Sequence, residues 1–313
     1  MKPRILVIVD VPGWALERTA DNVIARLQEQ YTFDKAFNRN AAEKIRAGRF
    51  DLLYVTYETQ FQDAGMEVNI PRNSVTGVRC HFKWDKGKDL PPSPAFISHL
   101  RRFAALHVPS KILLNIFNPL HPAVFYTPHG VDINIFKPRT GEPFSSPAGE
   151  LVLGWAGSLT NHPGKRGVED YIIPAVEGLK GVTLTLAARE HKWRTQKEMV
   201  HFYQKLDALI CASRTEGGPH SLLEAAACGI PLISTPVGIA PELIRNGENG
   251  FIIERSIKAI RNAVIKLRDN QELRIAMGQR ARATVEKLWN WDLQAQNYIP
   301  FFDYGLEISH EDA

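Results

Sequence analysis

One stretch concentrates the residues whose types and spacing could do chemistry: Glu216-Gly-Gly-Pro-His-Ser-Leu-Leu-Glu224, continuing into Ala-Ala-Ala-Cys-Gly229. It follows Asp207–Cys211, an apolar run that reads as a strand, and it opens a run of helix formers over 221–228 that Gly229 closes. Gly217 and Gly218 let the backbone approach a ligand closely. Pro219 suits a first helical turn, where its missing N–H has no intrahelical partner to lose. The N–H groups of His220 and Ser221 would then point at an anion, which the helix dipole also favours. Glu216 on the loop and Glu224 about a turn into the helix cannot form a same-face pair, so they would grip two separate parts of one elongated ligand. A carboxylate accepts from two adjacent hydroxyls, which makes sugar diols natural partners. The plain alternative is a strand–loop–helix connection with a capping acid.

The elements that must position these groups follow from hydrophobic patterning. Ile5–Val9 reads as a buried strand, a turn follows at Asp10–Gly13, and Leu16, Ala20, Val23, Ile24 and Leu27 recur at helical spacing. Leu52–Val55, Ser74–Val78 and Val124–Thr127 are further strand candidates. A second series restarts with Leu151–Trp155 and continues through Val182–Ala187, Asp207–Cys211, Ile230–Ser234 and Phe251–Ile253, with helices over 257–268 and 271–287. Short apolar runs alternating with amphipathic stretches point to parallel sheets covered by helices. The expected fold is α/β, two Rossmann-like domains facing a central cleft. The expected division is 1–137, a Pro/Gly/Ser-rich linker 138–149, a second domain 150–288, and an aromatic tail 289–313 that packs back on the first domain.

With 313 residues the chain is long enough for two domains, and 44% hydrophobic with 23% charged residues excludes disorder and fibrous repeats. No apolar run approaches the ~20 residues of a membrane-spanning helix. The first residues lack the small-residue cleavage site of a signal peptide, and Cys80, Cys211 and Cys228 are odd in number and scattered, so the expectation is a reduced, cytoplasmic protein. The net charge is +4. Its most uneven part is 79–111, where seven basic residues (Arg79, Lys83, Lys86, Lys88, Arg101, Arg102, Lys111) face only Asp85 and Asp89, with Phe82, Trp84, Phe96 and Phe103 interleaved. Such a segment suits an anionic partner, whether a membrane surface, a polysaccharide or a nucleic acid, and equally suits a solvated face.

The spacing of Glu216 and Glu224 within EGGPHSLLEAAACGIPLIS resembles the E-x7-E signature of the family-4 retaining glycosyltransferases, which have the GT-B fold. The likeness continues through Thr235-Pro-Val-Gly-Ile-Ala-Pro-Glu242 and Asn246-Gly-Glu-Asn-Gly250, which resemble the family's glycine turn, PE helix and NG-x-x-G turn. Upstream, Pro128-His-Gly-Val-Asp132 with Phe136-Lys-Pro138 is similar to its interdomain segment, and Gly154–Gly167 occupies the place of its donor loop. The resemblance covers 125–290 well and the N-terminal part loosely.

That resemblance implies a metal-independent transfer, without cofactor, of a sugar from a nucleotide-diphosphate donor to an acceptor. It assigns Glu216 to hydroxyls of the transferred sugar, Glu224 to the ribose, and the amides near His220 and Ser221, with Gly217 and Gly218, to the diphosphate. Arg166 or Lys165 matches the basic residue that neutralises the leaving diphosphate. Ser158 stands where the family usually has arginine, a departure for which Lys165 and Arg166 together would compensate. Gly13 matches the glycine loop after the first strand, and His81 falls near an active-site histidine, although a lone histidine after a strand is commonly structural. Two other readings stay open: a GT-B epimerase or phosphorylase, and an inert binder of sugar nucleotides or anionic polymers. The chain has no Asp-x-Asp, Gly-x-Ser-x-Gly or complete P-loop, and no G-x-G-x-x-G after Val9. His99, His107, His121 and His129 share no metal-ligand spacing with the cysteines.

Overall fold

The structure, a computed structural model, describes residues 2–65, 70–81, 84, 90–140, 145–160 and 166–311. Lys165 and the lysines at 83, 86 and 88, expected to meet anions, lie outside the described residues. Contacts divide the chain into two compact units, one reaching to Gly130 and including the stretch from Trp291 onward, the other Val131–Asn290.

The first unit holds six strands: β1 (Arg4–Val9), β2 (Thr32–Phe37), β3 (Leu52–Val55), β4 (Ser74–Gly77), β5 (Ala105–Val108) and β6 (Val124–Tyr126). They pair in parallel in the order β2-β1-β3-β4-β5-β6. Ile5 to Val9 are all at most 1% exposed, as expected of a strand covered on both faces. β2 and β5 were not anticipated. β2 is an edge strand with Asp34 and Lys35 inside it, and β5 carries His107, so neither shows an uninterrupted apolar run. His107 is fully buried, with Nε2 2.9 Å from the Tyr54 hydroxyl and Nδ1 2.5 Å from Thr127 Oγ1. Burial first, and then the nearby Arg79 charge, hold its imidazole well below the ordinary histidine range, so it is a neutral structural group.

The tail helix Ile299–Glu311 completes this unit. Tyr298, Phe301 and Phe302 are fully buried, and they pack on the sheet through Phe302 against Tyr54 (5.4 Å between centroids) and Phe301 against His107 (4.9 Å). Gly305 allows the close approach: a Cβ there would stand 2.7 Å from Val75 and 2.8 Å from Leu52.

The second unit holds β7 (Leu151–Gly157), β8 (Val182–Ala188), β9 (Ala208–Cys211), β10 (Leu232–Ser234) and β11 (Gly250–Ile252), parallel and in the order β11-β10-β9-β7-β8. The chain leaves β7 toward one side of the sheet and β9 toward the other. Their carboxyl ends therefore form the topological switch point, the place where open α/β sheets bind ligands.

The described part of the segment expected as a linker is bound into this unit. Ser146 donates from N–H and Oγ to Asp207 at 2.7 and 2.6 Å. Asp207 also accepts the Val152 N–H at 2.7 Å and faces Arg274 at 3.6 Å, both side chains being at most 1% exposed. The Arg274 guanidinium is spread over the carbonyls of Leu267 (2.7 Å), Arg268 (2.9 Å) and Glu150 (3.0 Å). No helix of the described residues is long and apolar enough to cross a membrane.

Candidate active site

At the switch point, the loops after β7 and β9 touch. Gly167 ends the β7 loop with φ +72°, and a Cβ there would lie 2.5 Å from the Ala212 carbonyl oxygen, so only glycine permits this approach. The contact brings Arg166 onto the β9 loop, where its Nη1 forms an ion pair with Glu216 Oε1. Ser213 Oγ donates to the same carboxylate oxygen at 2.8 Å, and the Ser213 carbonyl accepts from Thr235 Oγ1 at 2.6 Å. The Glu216 side chain keeps 12% exposure and Arg166 keeps 25%, so a ligand can still reach both. Arg255 adds a second cation: its Nε donates to the Ala212 carbonyl at 2.9 Å, and its guanidinium lies over the Tyr171 ring at 4.3 Å.

The glycine pair behind Glu216 is held from below. Gly238 adopts φ +52°, and a Cβ there would come within 2.5 Å of the Gly217 carbonyl oxygen. The helix that follows runs His220–Ala227, with Pro219 as its extended N-cap residue rather than a member of the first turn. Pro219 itself gives the helix no side-chain capping hydrogen bond. The helix starts at the carboxyl edge of the sheet, where the positive end of its dipole, near His220 and Ser221, favours an anion. Gly229, at φ +78°, follows the helix end as anticipated.

Glu224 lies one turn into the helix and is 8% exposed. Its Oε2 accepts the Tyr203 hydroxyl at 2.7 Å. The two acids thus flank the helix start, Glu216 on the loop held by Ser213 and Arg166, Glu224 on the helix held by Tyr203.

Ser158 takes a different course. Its hydroxyl donates to Glu190 Oε1, and Glu190 also accepts from the Leu159 N–H (2.9 Å) and Thr160 Oγ1 (2.8 Å). Burial pushes the Glu190 carboxyl upward, but the hydrogen bonds from Ser158, Leu159 and Thr160 outweigh it, and the group is held far below the usual carboxylate range. Ser158 therefore ties the β7 loop to the loop after β8, instead of presenting a free hydroxyl.

The remaining candidates belong to the first unit. Gly13, at φ +79°, donates its N–H to Glu17 Oε2 at 2.5 Å ahead of helix Ala15–Leu27. His81 is half-buried, its ring 5.2 Å from that of Trp84.

The structure brings together Glu216, Arg166, Gly217, Gly218, His220, Ser221 and Glu224 in the second unit. Sequence reasoning missed Ser213, Tyr203 and Arg255. A signal for Tyr203 was present in Thr195-Gln-Lys-Glu198, a capping box that starts the helix Gln196–Tyr203. Among the described residues, no group of three or more His, Cys, Asp or Glu side chains is arranged to hold a metal ion.

Residues 189–284 match the family described as glycosyl transferases group 1. A GDP-mannose-dependent monoacylated alpha-(1-6)-phosphatidylinositol monomannoside mannosyltransferase of Corynebacterium glutamicum is 26% identical over 214 residues, 56% of this chain and 55% of that protein. N-acetyl-alpha-D-glucosaminyl L-malate synthase of Bacillus anthracis is 39% identical over 80 residues, 25% of this chain and 21% of that protein. The chain thus matches about half of the first relative's length and a fifth of the second's. Among solved structures, sucrose-phosphate synthase from Thermosynechococcus elongatus superposes with TM-score 0.78 at 13% identity, covering 96% of this chain and 98% of the other. Anabaena Alr3699/HepE, in complex with UDP and glucose, superposes with TM-score 0.70 at 16% identity, covering 96% and 99%. The fold is that of the GT-B glycosyltransferases, and within it residues 189–284 are similar to the group 1 glycosyl transferases.

Proposed function

We propose that the protein is a family-4-type retaining glycosyltransferase that moves a sugar from a nucleotide-diphosphate donor to an anionic acceptor without a metal ion. The observation that carries this reading is the arrangement at the switch point: two anchored carboxylates on either side of a helix N-terminus, with Arg166 paired to one of them. Glu224 takes the ribose hydroxyls, the amides of His220 and Ser221 take the diphosphate, and Glu216 takes hydroxyls of the transferred sugar. As the bond from the sugar to the phosphate breaks, negative charge grows on the departing diphosphate and positive charge on the sugar ring. The helix N-terminus and Arg166 stabilise the first, and the Glu216 carboxylate lies against the second. The acceptor hydroxyl bonds to the sugar carbon on the face that the diphosphate leaves, and its proton passes to the departing phosphate. No side-chain nucleophile is consumed in this scheme.

The group 1 match and the superposition on a protein crystallised with UDP and glucose support the donor class. The acceptors in the relatives' names, a phosphatidylinositol monomannoside and L-malate, are both anionic, which supports the acceptor class. A cytoplasmic location, with access to a membrane surface, belongs to the same proposal.

The test is calorimetry with UDP and GDP, together with product analysis on a panel of UDP- and GDP-sugars. Glu224→Gln should weaken the bound nucleotide about tenfold, the loss of one charge-assisted hydrogen bond. Slow nucleotide release from one donor supports the transferase, isomerised donor would replace it by an epimerase, and binding without consumption by an inert protein. EDTA at millimolar concentration is expected to leave the release rate unchanged; loss of activity restored by Mg2+ or Mn2+ would refute the metal-free scheme.

A further inference from the structure

We propose that Arg255 is a positioning residue for Glu216: it staples the β7 and β9 loops together where they cross, and so fixes the backbone that places Ser213 and Glu216. The inference rests on the assignment of Glu216 to the transferred sugar, and it brings a third loop, the one after β11, into the site.

One side chain grips both sides of the crossing. On the β9 side, Arg255 Nε–H donates to the Ala212 carbonyl at 2.9 Å. On the β7 side, the guanidinium lies over the Tyr171 ring at 4.3 Å, and a Cβ at Gly167 would stand 3.3 Å from Arg255 Nη2. Tyr171 is tied to that glycine by its own amide, which donates to the Gly167 carbonyl at 3.2 Å at the start of the π-helical turn Val168–Ile172. Arg255 also stands on a fixed base. Before it, the Ile253 N–H donates to the Ser234 carbonyl at 2.8 Å; after it, Ser256 caps helix Ile257–Arg268 by accepting the Ala259 N–H at 3.2 Å.

The consequence for Glu216 follows from the planarity of the peptide bond. The Ala212 carbonyl and the Ser213 N–H belong to one rigid plane, so a donor on that carbonyl sets the direction in which Ser213 continues. Ser213 Oγ then reaches Glu216 Oε1 at 2.8 Å. Arg166, the neighbour of Gly167, reaches the same oxygen from the other loop. Glu216 is therefore held by one residue from each of the two loops that Arg255 joins. Arginine suits this task because its edge donates sideways while its flat face stacks on a ring, and a lysine ammonium cannot do both.

The experiment compares Arg255→Met and Arg255→Lys in UDP and GDP binding by calorimetry, and in hydrolysis of whichever donor of the UDP- and GDP-sugar panel is consumed. Arg255→Met should lower kcat about tenfold, as loss of one hydrogen bond and one stacked contact predicts, with the nucleotide Kd changed less than threefold. Arg255→Lys keeps the charge and should lose about as much. Joined to Glu216→Gln, Arg255→Met should add less than threefold, because the carboxylate it aligns is already gone. Full recovery by lysine would assign the effect to charge alone, and an equal loss of nucleotide affinity would make Arg255 a diphosphate ligand; either overturns the positioning role. So does full additivity, or an unchanged kcat in Arg255→Met beside an impaired Glu216→Gln. If Glu216→Gln itself turns over at the unmodified rate, the sugar assignment falls and this inference with it. A crystal structure of the unmodified protein with UDP is the second test and needs no variant to fold. Arg255 still on the Ala212 carbonyl and the Tyr171 ring supports the proposal; its guanidinium moved onto a phosphate oxygen refutes it.

Discussion

Replacing Glu216 by glutamine is expected to lower turnover by about a thousandfold, about 4 kcal/mol of transition-state stabilisation, while the affinity for UDP or GDP changes less than threefold. The shape of the side chain survives in this variant, so the loss isolates the charge. Glu216 has two engagements in the free protein, the Ser213 hydroxyl at 2.8 Å and the Arg166 guanidinium. In the proposed scheme it is Glu224, not Glu216, that holds the nucleotide. A neutral amide at 216 cannot balance the positive charge that develops on the sugar as its bond to the diphosphate opens. It also releases Arg166 from its counter-ion, which frees that guanidinium for the diphosphate. Free UDP should therefore bind as well as before or slightly better. Calorimetry with UDP and GDP, set beside donor-hydrolysis rates, separates the two effects. An equal loss in turnover and in nucleotide affinity would show that Glu216 serves as a nucleotide ligand and would refute the division of labour between the two acids.

The second large effect is on stability. Asp207→Ala should destabilise the second unit by about 3–5 kcal/mol, the usual cost of leaving one partner of a buried ion pair uncompensated. The side chains of Asp207 and Arg274 are at most 1% exposed, and Asp207 also accepts from Ser146 N–H, Ser146 Oγ–H and Val152 N–H. Burial pulls the Arg274 guanidinium below its ordinary pKa, while the Asp207 charge opposes that shift. Removing the carboxylate leaves a buried cation facing three orphaned donors. Urea unfolding followed by circular dichroism checks the magnitude. A change below about 1 kcal/mol would mean that the carbonyls around Arg274 suffice without the aspartate.

Among the elements, those legible without coordinates share one property: each writes its whole signal into a short window. Ile5–Val9 and four strands of the second sheet are short apolar runs, and the fifth, beginning at Val182, alternates with period two. The helix after Glu216 announces itself through Gly217, Gly218 and Pro219 before it and Gly229 after it, although Pro219 proved to stand just outside the first turn. β2 and β5 were not legible for the opposite reason. An edge strand needs no continuous apolar face, and a histidine inside a buried strand is acceptable only because Tyr54, fifty-three residues away, and Thr127, twenty residues away, satisfy its two nitrogens. The same holds in the site. Ser213 is three residues from Glu216 and still gave no local cue, since its direction depends on Thr235 holding its carbonyl.

The amino-acid sequence by itself determined the α/β class, the two series of strands, and the pair of acids that flank a glycine-rich helix start. These depend on periodicity and on backbone preferences, which act over a few residues. Only the tertiary structure decided which groups those acids meet: Arg166 on Glu216, Tyr203 on Glu224, and Ser158 turned toward Glu190. The physical reason is that a charge inside a protein is stable only with a partner, and the partners here arrive from other strands and helices through close approaches, such as Gly167 on Ala212, that no local pattern encodes.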